Sequence, residues 1–200
     1  MQVLPAFPSS IYAQSIPLSA DEQVTYVNLI NQNLTGHSVM SQTPGHLHEL
    51  AEFSDLLDKF KQVVAQCLNE DIGVIYEGFK INQMWGNRYE NNQYIGKHTH
   101  PNNFLSGVFY LDADIDTGGT IFYNPNPCVK HVDLQFKNKP TMAWSTSLAS
   151  PPMKHTLALF PSWLEHSSEP NPTDKTRYTI SFNLTLTGAV GDKIDLTYAD

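Results

Sequence analysis

His98-Thr-His100 puts two imidazoles one residue apart in a chain that carries eight histidines. On a strand, alternate residues face the same side, so this step would set both rings on one wall. Two cationic imidazoles side by side repel. A metal taking a neutral nitrogen from each removes the conflict, and exposure to solvent is the other resolution. A further histidine ends an apolar run, Leu157-Ala-Leu-Phe-Pro-Ser-Trp-Leu-Glu-His166. After a proline-rich turn, Arg177-Tyr-Thr-Ile-Ser-Phe-Asn183 alternates so that Arg177, Thr179, Ser181 and Asn183 share a face. An arginine on an inward face is costly unless it meets an anion, either one of the chain's own acids or a bound one.

The remaining candidates read as structural. His37, His46 and His48 lie in or beside a helical segment with no partner at metal-ligand spacing. His155 precedes His166 by eleven residues, which on one strand sets it too far away to share a metal. His131 follows Asn124-Pro-Asn-Pro127 and is expected at the surface. Trp85, Trp144 and Trp163 are expected in the core, with the mouth of a pocket as the other place for Trp163.

These residues need elements to position them. Ser19-Ala-Asp-Glu22 has capping-box spacing, and Val24, Val27, Ile30 and Leu34 keep a helical period until Gly36. A second helix is predicted through Leu50, Leu57, Phe60, Val64 and Cys67, ending before Gly73. From Val74 the period changes to alternation broken by turn residues, which predicts strands near 74–84, 94–100, 105–111, 119–123, 131–136, 140–144, 155–160 and 177–186. The breakers are Pro101-Asn-Asn, Asp116-Thr-Gly-Gly119, Asn124-Pro-Asn-Pro127, Ser150-Pro-Pro152 and Glu169-Pro-Asn-Pro172. The reading is a mainly β protein, a jelly roll with two packed N-terminal helices. No linker divides it, so one domain is expected over 1–200, helical to about residue 72 and β from about 73.

Composition narrows the function classes. Twelve Lys and Arg against twenty Asp and Glu give a net charge of −8, which opposes a phosphate backbone or an anionic membrane. No apolar stretch approaches the roughly 18 residues of a membrane span. The first residues lack the basic and apolar regions of a secretion signal, so the sequons at Asn33 and Asn183 carry little meaning. Cys67 and Cys128 form neither a CxxC pair nor a disulfide framework. A cytoplasmic protein acting on a small molecule or peptide, without nucleic acid or membrane, is the expectation.

From about Trp85 to Asn183 these segments resemble the iron(II)- and 2-oxoglutarate-dependent dioxygenases, in their prolyl-hydroxylase-like branch. The resemblance implies a double-stranded β-helix in which His98 and the distal His166 hold Fe(II). Arg177, eleven residues beyond His166, would bind the far carboxylate of 2-oxoglutarate. Tyr110, in Ser106-Gly-Val-Phe-Tyr-Leu111, is similar to the family tyrosine that shares that carboxylate. Thr179 stands in the serine position of the Arg-x-Ser pair, and Gly118-Gly-Thr-Ile-Phe122 resembles the GG-x-x-F turn and strand. A narrower likeness joins His98-Thr-His100-Pro, Ser106-Gly-Val-Phe-Tyr-Leu111 and Phe160-Pro-Ser-Trp-Leu-x-His166 to a small group of uncharacterised 2-oxoglutarate/iron oxygenases of this length.

The departure is at the second ligand, where the family's HxD aspartate is His100. Three histidines suit Fe(II) with one negative charge fewer than the 2-His-1-carboxylate triad; Asn102 is the alternative ligand. The resemblance implies hydroxylation of an organic substrate, a prolyl peptide among the candidates, coupled to oxidative decarboxylation of 2-oxoglutarate to succinate and CO2. Two other readings stay open: a cupin-like three-histidine iron dioxygenase that does not use 2-oxoglutarate, and a non-catalytic jelly-roll binding module. Loops such as 86–93 and 124–131 would select the substrate.

Overall fold

The structure is a computed structural model that describes residues 8–36, 41–126, 131, 134–138, 140–190 and 197–199. Ser19 caps helix α1 (Ala20–Asn33) as its spacing predicts: its hydroxyl accepts from the Glu22 amide, and Glu22 reaches back to the Ser19 amide. The buried face is Tyr26 and Ile30, while Val24 is largely exposed, so the inward stripe lies one step round from the predicted one. Helix α2 (Ser54–Gln66) buries Leu56, Phe60 and Val64. It runs into a wider turn over Cys67–Ile72 that stops at Gly73, whose φ of 68° is left-handed.

Both helices cover one face of a large antiparallel sheet. Its strands are β1 (Tyr12–Ser15), β2 (Thr35–Gly36), β3 (Ser41–Gln42), β4 (Gly78–Tyr89), β5 (Leu105–Asp112), β8 (Thr156–Pro161) and β10 (Arg177–Val190), in the order β1-β8-β5-β10-β4-β3-β2, with β11 (Thr197–Ala199) paired to β10. Phe60 packs on Phe109 and Phe182 with ring centres 5.3 and 5.2 Å away, which seats α2 on β5 and β10. A small sheet, β7-β6-β9, comprises β6 (Thr120–Tyr123), β7 (Ser147–Ser150) and β9 (His166–Ser168). The two sheets make the expected jelly roll with two packed helices.

Several expectations need correction. Residues 94–100 are not a strand; they are irregular chain, bridged at His98 to His166 and held on either side by main-chain bonds of Ile95 to Ser168 and His100 to Ser162. His166 does not end the strand that begins near His155: β8 stops at Pro161, a turn follows, and His166 opens β9 in the other sheet. Residues 142–144 form a short 3-10 turn rather than a strand. Of the strand expected at 131–136, residues 132 and 133 lie outside the described set, and 131 and 134–136 are irregular. His37 and Cys128 also lie outside it. The first 72 residues supply β1, β2 and β3 besides the helices. Trp144 and Trp163 are exposed, not core.

The turn before β6 is crowded. Gly118 has a φ of 79°, and a Cβ on Gly119 would fall 1.9 Å from the carbonyl oxygen of Ser150 on β7. Only glycine admits this approach of turn to strand.

Candidate metal centre

His98 and His166 face each other through a reciprocal pair of main-chain hydrogen bonds, each amide donating to the other residue's carbonyl, at 2.9 and 3.0 Å. His100 is held two residues on by its amide, which donates to Ser162 O at 3.0 Å. One nitrogen from each of the three rings lies within 4.8 Å of the others. Ring centres are 4.3 Å apart for His98 and His166, 4.9 Å for His98 and His100, and 5.1 Å for His100 and His166. The structure thus brings the HxH pair and the distal histidine together, by loop and bridge rather than by strand.

The tautomers follow from partners. His98 Nδ1 lies 2.7 Å from Gly96 O, and His166 Nδ1 lies 2.9 Å from Leu164 O. A carbonyl only accepts, so both Nδ1 atoms carry a proton, and in the neutral form of each ring Nε2 is the atom that keeps the lone pair. Burial pulls the pKa of His166 down to about 4 against the pull of the Leu164 carbonyl. Burial, with His166 and His98 beside it, takes His100 to about 4 as well. Both rings are neutral at pH 7, the state in which imidazole binds a metal. Phe160 packs edge-on against His166, with centres 4.6 Å apart.

Trp85, Phe160, Val108 and Ile95 line the cavity over the three histidines, with the hydroxyls of Thr120, Ser167, Ser168 and Ser181 among them. Its far side is closed by Tyr89, whose ring lies over the Arg177 guanidinium with Cζ 4.2 Å from the ring centre. Arg177 is 1% exposed. Nη1 donates to Thr117 O at 2.5 Å and to Gly118 O, Nη2 donates to Glu169 O at 3.1 Å, and Nε is buried without a partner. No ion pair among the described residues includes Arg177. An ion pair that would explain an inward arginine is therefore not there among the described residues; the Glu169 carboxylate acts on the guanidinium only from beyond ion-pair distance. Desolvation pulls its pKa down from the ordinary arginine range.

Tyr110 and Thr179 sit beside it. Thr179 lies opposite Tyr110 on β5 and Asn87 on β4, and Arg177 lies opposite Tyr89. Tyr110 Oη is 2.7 Å from Thr120 Oγ1, and Thr179 Oγ1 accepts from Asn87 Nδ2 at 3.1 Å. Burial raises both phenols, Tyr89 to about 12, so both stay protonated donors. Arg177, Tyr110 and Thr179 stand one side chain behind the cavity wall formed by Tyr89 and Thr120. Sequence reasoning missed Tyr89. The alternation Trp85, Asn87, Tyr89 was its signal, hidden because β4 runs five residues past its predicted end. Asn102 is exposed, in a left-handed backbone conformation with φ 66°. His155 is structural: Nδ1 accepts from the Leu18 amide at 3.4 Å and Nε2 lies 3.0 Å from Gln23 Oε1.

With this geometry in view, the comparisons with known proteins are specific. The model of the family described as "Putative 2OG-Fe(II) oxygenase" matches residues 83–183, half of the chain. No curated protein matches. Among solved structures, the non-heme alpha ketoglutarate dependent epimerase SnoN from nogalamycin biosynthesis aligns with a TM-score of 0.63 at 14% identity, over 88% of this chain and 78% of that one. HygX from Streptomyces hygroscopicus, with nickel, 2-oxoglutarate and hygromycin B bound, aligns at 0.62 and 10% identity over 88% and 83%. A Pseudomonas putida prolyl-4-hydroxylase aligns at 0.61 and 13% over 88% and 93%. At such identities the structures share a fold, and the family model carries the assignment. The chain belongs to the 2OG-Fe(II) oxygenase family.

Proposed function

We propose that the chain is one oxygenase domain over 1–200 that binds Fe(II) through His98, His100 and His166 and 2-oxoglutarate through Arg177, and hydroxylates a small molecule or peptide in the cytoplasm. The observation that carries this is a cluster of three imidazoles beside a buried arginine that has no carboxylate within ion-pair distance among the described residues. The donor set fits the metal: two rings already present Nε2, and no proton has to leave His100 or His166 at neutral pH. The arginine fits the acid: its orphaned Nε and a fork geometry suit a carboxylate in a dry site. Bound iron and 2-oxoglutarate supply oxygen activation coupled to decarboxylation of the keto acid to succinate and CO2.

The chain's own residues then have distinct tasks. His98 and His166 hold the metal from two segments joined by main-chain bonds. Arg177, with three of its N–H donors committed to the 117–118 turn and to Glu169 O and Nε–H with one Nη2–H left over, offers a fixed rather than a searching cation. Tyr110 and Thr179 add hydroxyls next to it. Tyr89 and Phe160 keep bulk water away from the centre. A prolyl peptide is one candidate substrate, on the likeness of the stretch from about Trp85 to Asn183 to the prolyl-hydroxylase-like branch.

Arg177→Ala tests the reading. An unpaired acid in a poorly hydrated pocket should lose about 2–5 kcal/mol of binding, so calorimetry on the metal-loaded protein should show 2-oxoglutarate affinity at least about thirtyfold weaker. Unchanged affinity would make Arg177 structural. Wild-type protein that binds iron but no 2-oxoglutarate would instead favour the cupin-like dioxygenase.

A further inference from the structure

Behind His100 a run of buried polar side chains crosses three strands. Asn183 on β10 is 2% exposed. Its Oδ1 accepts from Ser106 Oγ at 2.8 Å, its Nδ2 donates to Gln83 Oε1 at 3.0 Å, and the same Nδ2 lies 3.5 Å from His100 Nδ1. Ser106 Oγ is 2.8 Å from Ser162 Oγ. Ser162 also takes the His100 amide on its carbonyl. His100 is therefore gripped at main chain and ring by one connected network.

The orientation of this network carries a contradiction. With Asn183 Nδ2 toward it, His100 Nδ1 must be the acceptor, which puts the ring proton on Nε2. A ring in that state cannot offer Nε2 to a metal. His98 and His166 are in the opposite state, Nδ1–H with Nε2 free. The contradiction disappears if the amide of Asn183 is turned over, since amide O and N are told apart only by their partners. Oδ1 then faces His100 and Gln83, and Nδ2 faces Ser106. Ser106 can accept that bond while giving its own proton to Ser162 Oγ, and exposed Gln83 turns its amide to donate. Every group in the run keeps a partner in both arrangements.

We propose that Asn183 is the positioning residue of the metal centre: when His100 is a ligand, Asn183 Oδ1 accepts from His100 Nδ1–H and fixes Nε2 on the metal. This rests on the three-histidine reading. It also supplies the ring-nitrogen partner that main-chain carbonyls provide for His98 and His166.

Zinc is a diamagnetic probe for the test. Long-range proton–nitrogen spectra of the Zn(II)-loaded wild type should show His100 metallated at Nε2 and protonated at Nδ1. Asn183→Leu should weaken Zn(II) about 10–100-fold, the usual effect of removing a ligand's partner, and should lose the slowly exchanging Nδ1–H of His100. Asn183→Asp keeps an acceptor and should bind within about threefold of wild type or tighter. Zinc held through His100 Nδ1, or wild-type affinity in Asn183→Leu, overturns the proposal. If Asn183→Leu does not fold, the wild-type spectrum and Asn183→Asp decide. Tight stoichiometric zinc in His166→Ala would overturn the metal centre itself, a separate outcome.

Discussion

Replacing Gly119 by alanine should injure the protein far more than one methyl group suggests. The new Cβ would lie 1.9 Å from Ser150 O and 3.0 Å from Ser150 C, both main-chain atoms. Ordinary carbon contacts begin near 3.5 Å, so about 1.5 Å must come from moving backbone. If β7 moves, the Thr120–Ser150 pair at the edge of the small sheet opens. If the turn moves, it carries away the Thr117 and Gly118 carbonyls that receive Arg177 Nη1, and the Gly119 amide that donates to Glu169 Oε2 at 2.8 Å. Overpacking costs about 1–3 kcal/mol, and one or two lost hydrogen bonds add about 1 each. The loss of unfolded-state freedom on replacing glycine returns at most about 1 kcal/mol. The net is roughly 2–3 kcal/mol, or a fall in Tm of about 5–10 °C for a chain of this size. Thermal unfolding of wild type, Gly119→Ala and Gly96→Ala measures it, because a Cβ at Gly96 meets nothing within 4 Å. A Gly119→Ala Tm within about 2 °C of wild type would refute the steric argument.

Three further outcomes are expected. In metal-free protein His166 has a pKa of about 4 when folded against about 6.5 unfolded. The unfolded chain therefore binds more protons between these values, and stability is full above about pH 6.5 and declines toward pH 4, by roughly 3 kcal/mol for this residue. Urea unfolding across that range should lose much of its slope in His166→Gln, and an identical slope would dismiss the linkage. His100→Asp should keep iron bound while His100→Ala weakens it; equal titrations of wild type and His100→Ala would move the third ligand to Asn102 or to water. Ser19→Ala removes the cap of α1 and should cost about 1 kcal/mol, and an unchanged urea midpoint would show that the packing of Tyr26 and Ile30 holds that helix without it.

The sequence was most legible where side-chain type is itself the signal. The HxH pair, the apolar run to His166 and the inward arginine were all visible as residue types at fixed intervals, and so was the Ser19 cap. The small sheet was harder: β7 is Ser-Leu-Ala-Ser and mostly exposed, and β9 is three residues long, so neither alternates visibly. The same holds for β1, an edge strand with three exposed residues of four. Alternating histidines imitated a strand at 94–100, although it is a bridge from 166 that holds them. Tyr89 was hidden by a boundary, since burial on β4 continues where the apolar pattern gives way to Gly86 and Asn87. Partners of Arg177 are backbone carbonyls, which no side-chain pattern announces.

The reciprocal amide–carbonyl pair between His98 and His166 has a consequence for how the protein would live with and without its ion. If these two histidines are ligands, as proposed, their separation is set by main chain that belongs to the fold, so an ion would arrive at a site already assembled and have no folding to drive, unlike the small zinc domains that are unfolded without metal. Chelation should yield a folded, reloadable apoprotein with native far-ultraviolet circular dichroism. The ion should then raise unfolding free energy only by mass action, about 2.7 kcal/mol at a hundredfold excess over Kd. Ions of similar size would compete for the same three imidazoles, so the metal carried by the isolated protein would record supply during expression as much as the preference of those ligands.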